Sequence, residues 1–170
     1  GKINARYVKE YEQAVHDVIE EFRKENVFLV NDTELTPEQG EFVRAYYREK
    51  LNGFIVPVWF SAIKLLDSET DENIYLAVKA AKENGKASVD NAFLELPVGI
   101  CGRFVRLPDS DGKSYLMYLD DVIRYCLPIV FEGLGYTRFE AYAFKFTRDA
   151  EMEIANDLRS GTLQKISKGV

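Results

Sequence analysis

The side chains that most often carry out acid–base, nucleophilic and metal chemistry are few and scattered in this sequence. His16 is the single histidine, and no serine or cysteine is placed beside it as a nucleophile. Cys101 and Cys126 lack the CxxC or HxxxH companions of a zinc site. We therefore interpret His16 as a surface residue, and we predict neither a catalytic residue nor a metal ligand within the chain.

Two acidic stretches are candidates for a cation site. Asp109 and Asp111 open like a calcium loop, but Ser114 stands where that loop needs glycine and Asp120 where it needs glutamate. The acidic run at 67–72 is typical of a solvated loop. Neither GxxxxGK[ST] nor GxGxxG occurs, so no cofactor-binding loop is predicted.

Four basic residues are the weak candidates for a contact site: Arg103 and Arg106 around one predicted strand, and Lys145 and Arg148 at the end of another. Their guanidinium and ammonium groups suit a phosphate chain or the carboxylates of a partner domain. The alternative, which we favour, is that they form ordinary ion pairs with acids of this chain. The acids nearest in sequence are Asp149, Glu151 and Glu153.

Composition restricts the class of protein. The 170 residues are 46% hydrophobic and 29% charged, which predicts one folded domain with a core of its own. The net charge of −6 disfavours nucleic acid as a partner. No apolar run is long enough to span a membrane, and no secretory signal is visible, so we expect a cytoplasmic protein with reduced thiols.

The N-terminal third predicts two helices around a short strand. Apolar residues at 3, 7, 11, 15, 18 and 22 follow helical spacing. Residues 27–30 resemble a buried strand after Asn26. Thr36, Pro37 and Gln39 have the types and spacing of a capping box, and Gly53 is expected to end this second helix in a left-handed conformation.

The remainder predicts hairpins and one further helix. Residues 74–81 and 87–96 flank Asn84-Gly85, a strong hairpin signal. Residues 103–107 and 115–119 flank a longer turn at 108–112. A helix capped by Asp120 or Asp121 is expected to run to residue 130, bent or ended by Pro128. A strand at 139–146 and a weak helix at 156–166 follow. The prediction is an α+β domain with helices packed on an antiparallel sheet, paired antiparallel throughout.

Several phrases of the sequence match one family in order. They are NVFLV at 26–30, YLAV at 75–78, LELP at 94–97, RFVRLP at 103–108, LDDVIRYC at 119–126 and FTRDAE at 146–151. On these motifs the chain resembles the middle, or head, domain of the type-one polyphosphate kinases. The resemblance implies a lead-in helix at 1–25, joined to an N-terminal domain, and a head domain at 26–170. We interpret the start at Gly1, directly in a helical pattern, as a piece of a longer protein.

The resemblance also implies what the whole enzyme does. Members transfer the terminal phosphate of ATP reversibly onto polyphosphate, with magnesium, through a phosphohistidine in C-terminal domains absent from this chain. His16 lies in the lead-in helix, upstream of every matching motif, and is not that histidine. The head domain is expected to contribute contacts in a homodimer or higher homo-oligomer and to shape the polyphosphate tunnel, and to be inactive alone. The parent is expected in the cytoplasm or peripheral to the membrane. The alternative is a free-standing protein-interaction module without catalysis.

Overall fold

The computed structural model describes residues 2–61, 74–83, 88–146 and 152–153. The helices are α1 (Lys2–Lys24), α2 (Pro37–Tyr46), α3 (Val98–Cys101), α4 (Leu119–Tyr125) and α5 (Leu127–Val130). The strands are β1 (Val27–Leu29), β2 (Val58–Trp59), β3 (Tyr75–Lys82), β4 (Ser88–Glu95), β5 (Phe104–Ser110), β6 (Lys113–Tyr118), β7 (Arg138–Phe146) and β8 (Met152–Glu153). The acidic run at 67–72, the Asn84-Gly85 turn, Arg148, Asp149, Glu151 and the predicted helix at 156–166 lie outside the described residues.

Helix α1 confirms the prediction from apolar spacing. Its apolar side chains face the sheet formed by β1, β5 and β6 across a groove of about 420 Å³. The burial is incomplete, because Val18 remains 51% exposed and Phe22 43% exposed. The helix ends at Lys24 and is followed by a turn in which Asn26 has a φ of 60°. The chain then enters β1 immediately.

Helix α2 begins with the predicted capping box. The Thr36 hydroxyl accepts a hydrogen bond from the Gln39 amide at 3.2 Å, and the Gln39 side chain accepts one from the Thr36 amide at 3.0 Å. The helix continues as a π-helical segment at Tyr47–Leu51. The predicted left-handed conformation of Gly53 is wrong, because the turn that ends this segment needs no positive φ there.

The three-stranded sheet has the order β1-β6-β5 and corrects two predictions. The expected five-residue turn at 108–112 is a two-residue turn, because Asp111 and Gly112 have φ values of 52° and 73° and Ser110 pairs with Lys113. Pairing is not antiparallel throughout, since β1 lies parallel to β6. The long connection between these strands, which includes α2, allows the parallel direction.

The five-stranded sheet has the order β2-β4-β3-β7-β8 and is antiparallel. Strands β3 and β4 confirm the predicted pair, with Tyr75 opposite Glu95 and Lys82 opposite Ser88. Strand β7 confirms the period-two pattern at 139–146 and lies between β3 and β8. Its alternating residues therefore face two sides of the sheet.

The predicted helix after residue 120 is two short helices, α4 and α5, that meet at Cys126. Pro128 lies in the first turn of α5, where the longer predicted helix is interrupted, in agreement with the predicted bend or end at this proline. The predicted N-cap is wrong: Tyr118 occupies that position without a side-chain cap, and Asp120 and Asp121 lie inside the first turn. Both of these residues are buried.

One hydrophobic core joins both sheets and the helices. It contains Val43 and Leu51 from the second helical segment, Leu107 and Met117 from the small sheet, and Leu76, Leu94 and Ile123 elsewhere. A second cluster of Tyr75, Phe93 and Phe144 lies on the opposite face of the five-stranded sheet. The result is the predicted α+β fold.

Candidate functional site

The predicted contact residues do not form one site among the described residues. Arg103 precedes β5 and is half-buried, and its carbonyl accepts a hydrogen bond from the Leu119 amide at 2.8 Å. Arg106 lies on β5, on the small sheet, whereas Lys145 lies on β7, on the larger sheet, opposite Glu153 in register. Two separate surfaces therefore carry these side chains.

Arg106 is the predicted contact residue with a visible ion pair. Its guanidinium lies 3.1 Å from the Asp109 carboxylate, and its side chain is 67% exposed. Asp109 is three residues away on the same strand, and it was not among the acids named as partners from the sequence. An exposed pair of this kind contributes little to stability and leaves Arg106 accessible to a ligand.

The most buried charges belong to α4. The Arg124 guanidinium lies 2.5 Å from Asp121 and 3.8 Å from Asp120, and the Arg124 side chain is only 14% exposed. Its Nε also donates a hydrogen bond to the Ala141 carbonyl on β7 at 3.2 Å. Arg124 thus connects the helix to the five-stranded sheet while it compensates two buried carboxylates.

A polar cavity of about 380 Å³ opens beside this cluster. The loop after β1 contributes Asn31, Asp32 and Thr33, and β7 contributes Glu140 and Tyr142. The lining holds more acidic than basic groups, so it suits a hydrogen-bond donor or a cation better than a phosphate. This cluster is not among the sites predicted from the sequence, although Asp120, Asp121 and Arg124 have the i,i+3 and i,i+4 spacing of helical ion pairs.

A second polar arrangement lies at the edge of the larger sheet. The Tyr136 hydroxyl donates a hydrogen bond to the Asp90 carboxylate at 2.6 Å. The Tyr136 ring lies 6.0 Å from Trp59 and 5.8 Å from Phe131. Burial, the hydrogen bond to Asp90 and the charge of Asp90 raise the pKa of Tyr136 to about 12. The hydroxyl therefore stays protonated at neutral pH and acts as a donor.

The thiols and the histidine occupy unreactive positions. Burial raises the pKa of Cys126 to about 12, although the charges of Arg44 and Arg48 act in the opposite direction. Cys101 is half-buried, and both cysteines are free thiols. His16 is exposed on α1, which confirms its interpretation as a surface residue. The buried Cys126 thiol therefore lacks the accessibility of a nucleophilic cysteine.

Within the part of the chain that the structure describes, no group of three or more histidine, cysteine, aspartate or glutamate residues is arranged to hold a metal ion. Asp120 and Asp121 come nearest, but the Arg124 guanidinium lies against both. Over the same residues, no helix is both long and apolar enough to cross a membrane.

Comparison with known proteins places this geometry in a family. Residues 38–170 match a family model described as the polyphosphate kinase middle domain. The chain is 32% identical to a polyphosphate kinase of Vibrio parahaemolyticus, in an alignment that spans 100% of this chain and 25% of the relative. It is 28% identical to a polyphosphate kinase of Escherichia coli K12, again over 100% of this chain and 25% of the relative. The chain therefore spans about a quarter of these relatives.

A solved structure shows the same fold. The crystal structure of polyphosphate kinase from Porphyromonas gingivalis superposes with a TM-score of 0.77 over 88% of this chain and 25% of that one, at 22% sequence identity. At this identity the match concerns the arrangement of helices and strands.

Proposed function

Because this chain belongs to the polyphosphate kinase middle-domain family, we propose that it is the non-catalytic head domain of a polyphosphate kinase. The parent enzyme would reversibly transfer the terminal phosphate of ATP onto polyphosphate. The family match at residues 38–170 carries this proposal. The chain's share of about a quarter of its relatives leaves room for catalytic domains elsewhere.

The phosphorylated histidine of the proposed reaction belongs to domains outside this chain. His16 is exposed on α1 and lies outside the residues that match the family model. Phosphoryl transfer needs a positioned nucleophile and positive charge around the phosphate. The exposed surroundings of His16 do not supply that arrangement, and we assign it no catalytic role.

Magnesium and ATP are proposed as requirements of the parent enzyme. Magnesium prefers oxygen ligands in octahedral geometry, but the buried carboxylates of Asp120 and Asp121 both face the Arg124 guanidinium. The described residues do not fit a magnesium site. Any ion that assists the reaction would be held by other parts of the enzyme and by the substrate phosphates.

The head domain would act as a scaffold, giving contacts in a homodimer or higher homo-oligomer and part of the wall of the polyphosphate tunnel. Arg103, Arg106, Lys145 and Arg148 remain the proposed contacts with polyphosphate or a neighbouring domain. Exposure of Arg106 supports this role. Contacts with phosphates would weaken as salt increases, because bound counterions are released on association.

The experiment compares polyphosphate formation from ATP and magnesium by the intact parent and by this chain. We expect synthesis by the parent alone, and we expect His16→Ala in the parent to leave the rate unchanged. Synthesis by the isolated chain, or loss of phosphoenzyme in the His16 variant, would contradict the scaffold assignment. If neither protein makes polyphosphate, a free-standing interaction module becomes the better explanation.

A further inference from the structure

A notch interrupts the edge of the five-stranded sheet where β2 leaves β4. Strand β2 pairs with β4 only through Val58 opposite Phe93 and Trp59 opposite Ala92, whereas β4 continues back to Ser88. Among the described residues, no strand pairs with residues 88–91 on that side. The notch has a volume of about 440 Å³. We call it the Trp59 notch, after the residue at the point where the strands diverge.

The walls of the Trp59 notch combine aromatic rings with one carboxylate. Trp59, Phe60 and Tyr136 contribute rings, and Asp90 contributes the acid. Phe60 is 58% exposed, so its ring is accessible from solvent. The Asp90 Oδ2 accepts the hydrogen bond from Tyr136 at 2.6 Å, and within the described residues no hydrogen bond is made to Oδ1. One carboxylate oxygen therefore remains available to a donor.

This combination favours a planar cation. Aromatic faces attract guanidinium and ammonium groups through their negative electrostatic potential, and a guanidinium can stack on a ring while its N–H groups donate to a carboxylate. The Lys82 ammonium already lies 4.9 Å from the centroid of the Tyr136 ring. The Tyr136 ring thus already contacts a cation of this chain beside the notch.

We propose that the Trp59 notch binds an arginine side chain from an extended segment of a partner protein. The guanidinium lies against the Trp59 ring, on the face of the sheet that carries Tyr136 and Asp90, and donates to Oδ1 of Asp90. The backbone of the segment pairs with the edge of β4 at residues 88–91, to which no described strand is paired on that side, as a peptide does when it adds a strand to a sheet. The net charge of −6 on the chain favours a basic partner.

The test uses Trp59 as its reporter, because it is the only tryptophan of the chain. A blocked pentapeptide, Thr-Val-Arg-Val-Thr, is titrated into this chain, and Trp59 emission is followed. A fluorescein-labelled copy gives a second measurement by anisotropy. The control peptide carries citrulline, which has the shape of arginine without its charge. We expect the arginine peptide to bind about tenfold more tightly than the citrulline peptide.

Two matched variants separate the carboxylate of the notch from general charge effects. Asp90→Asn keeps an acceptor for the Tyr136 hydroxyl but removes the charge, and we expect it to weaken arginine-peptide binding about tenfold. Asp109→Asn removes an equal charge from the small sheet, beside Arg106, and should leave binding unchanged. Circular dichroism checks that both variants are folded.

Three results would overturn the proposal: equal affinity for the two peptides, an Asp90→Asn variant that is folded and binds normally, or no saturable binding in either measurement at millimolar peptide. None of these results depends on whether the parent makes polyphosphate. Failure of this proposal is therefore distinguishable from failure of the proposed function.

Discussion

At the scale of single residues, the charge of Arg124 determines whether two buried carboxylates are tolerated. The Asp121 side chain is 1% exposed and the Asp120 side chain 5% exposed. A carboxylate in such surroundings pays a desolvation cost that its partner must offset. The hydrogen bond from Arg124 to the Ala141 carbonyl adds a link between α4 and β7.

We predict that Arg124→Met lowers the free energy of unfolding by about 3–5 kcal/mol, because it removes the guanidinium that faces two buried carboxylates. Guanidinium chloride denaturation followed by circular dichroism measures this loss. Arg106→Met is the matched control, since its pair with Asp109 is exposed, and it should change stability by less than about 1 kcal/mol. Equal effects of the two substitutions would contradict the role assigned to Arg124.

At the scale of elements, α2 and α4 touch at a glycine. A Cβ atom added to Gly40 would lie 2.3 Å from the Tyr125 hydroxyl oxygen and 3.2 Å from the adjacent ring carbon. The hydroxyl is held there, because Arg44 donates a hydrogen bond to it at 2.7 Å and lies over the same ring. The close approach of the helices therefore requires glycine at this position.

We predict that Gly40→Ala destabilises the protein by about 1–3 kcal/mol through overpacking. Gly53→Ala is the control, because nothing lies within 4 Å of its added Cβ and its φ is not positive. Urea denaturation gives both values. In a Tyr125→Phe background the Gly40→Ala cost should fall, since the obstructing hydroxyl is absent. An unchanged cost in that background would mean that Tyr125 is not the obstruction.

Elements specified by nearby residues were predictable from the sequence. The capping box of Thr36 and Gln39 and the period of two along β7 are local signals, and both are present in the structure. The parallel pairing of β1 with β6 was not predictable in the same way, because it depends on which distant strand offers a free edge. The tight turn at Asp111 and Gly112 was not predictable in this way, because proline is typical of loops, whereas Pro108 lies within β5.

The candidate sites were less predictable than the elements. Charge and spacing identified four basic candidates: Arg103, Arg106, Lys145 and Arg148. Nothing in the sequence shows that Arg103 and Arg106 lie at the small sheet, whereas Lys145 belongs to the larger one. The Trp59 notch brings together Trp59, Asp90 and Tyr136 from three distant segments. Such an arrangement has no local signature and becomes visible only through the pairing of strands.

At the scale of the whole molecule, four weak acids among the described residues have raised pKa values: Tyr46, Tyr47, Cys126 and Tyr136. Burial, followed by the nearby Cys126, raises the pKa of Tyr47 to about 12. The pKa values of Cys126 and Tyr136 are also raised to about 12. The unfolded chain releases these protons at lower pH than the native protein, so rising pH favours unfolding.

We predict that these groups cause no change in the free energy of unfolding below about pH 8. The free energy of unfolding should then fall as the pH rises from about 9 to 12. Urea titrations at pH 8 and 10.5 measure the change. Tyr47→Phe keeps the buried ring but removes one of these acids, and the stability of the variant should fall less steeply over the same interval. An identical pH dependence in the variant would show that Tyr47 does not contribute.

The parallel ladder between β1 and β6 also has a consequence for the order of folding. Val27 pairs with Ser114 and Leu29 with Leu116, so the ladder closes a long loop, whereas the β5–β6 hairpin closes across two residues. Loop-closure entropy makes the distant pairing the slower step. During synthesis, α1 and β1 leave the ribosome before the β5–β6 hairpin and must wait for it before they have a surface to join. Within this domain, the segment that is made earlier is therefore among the last to reach its native place.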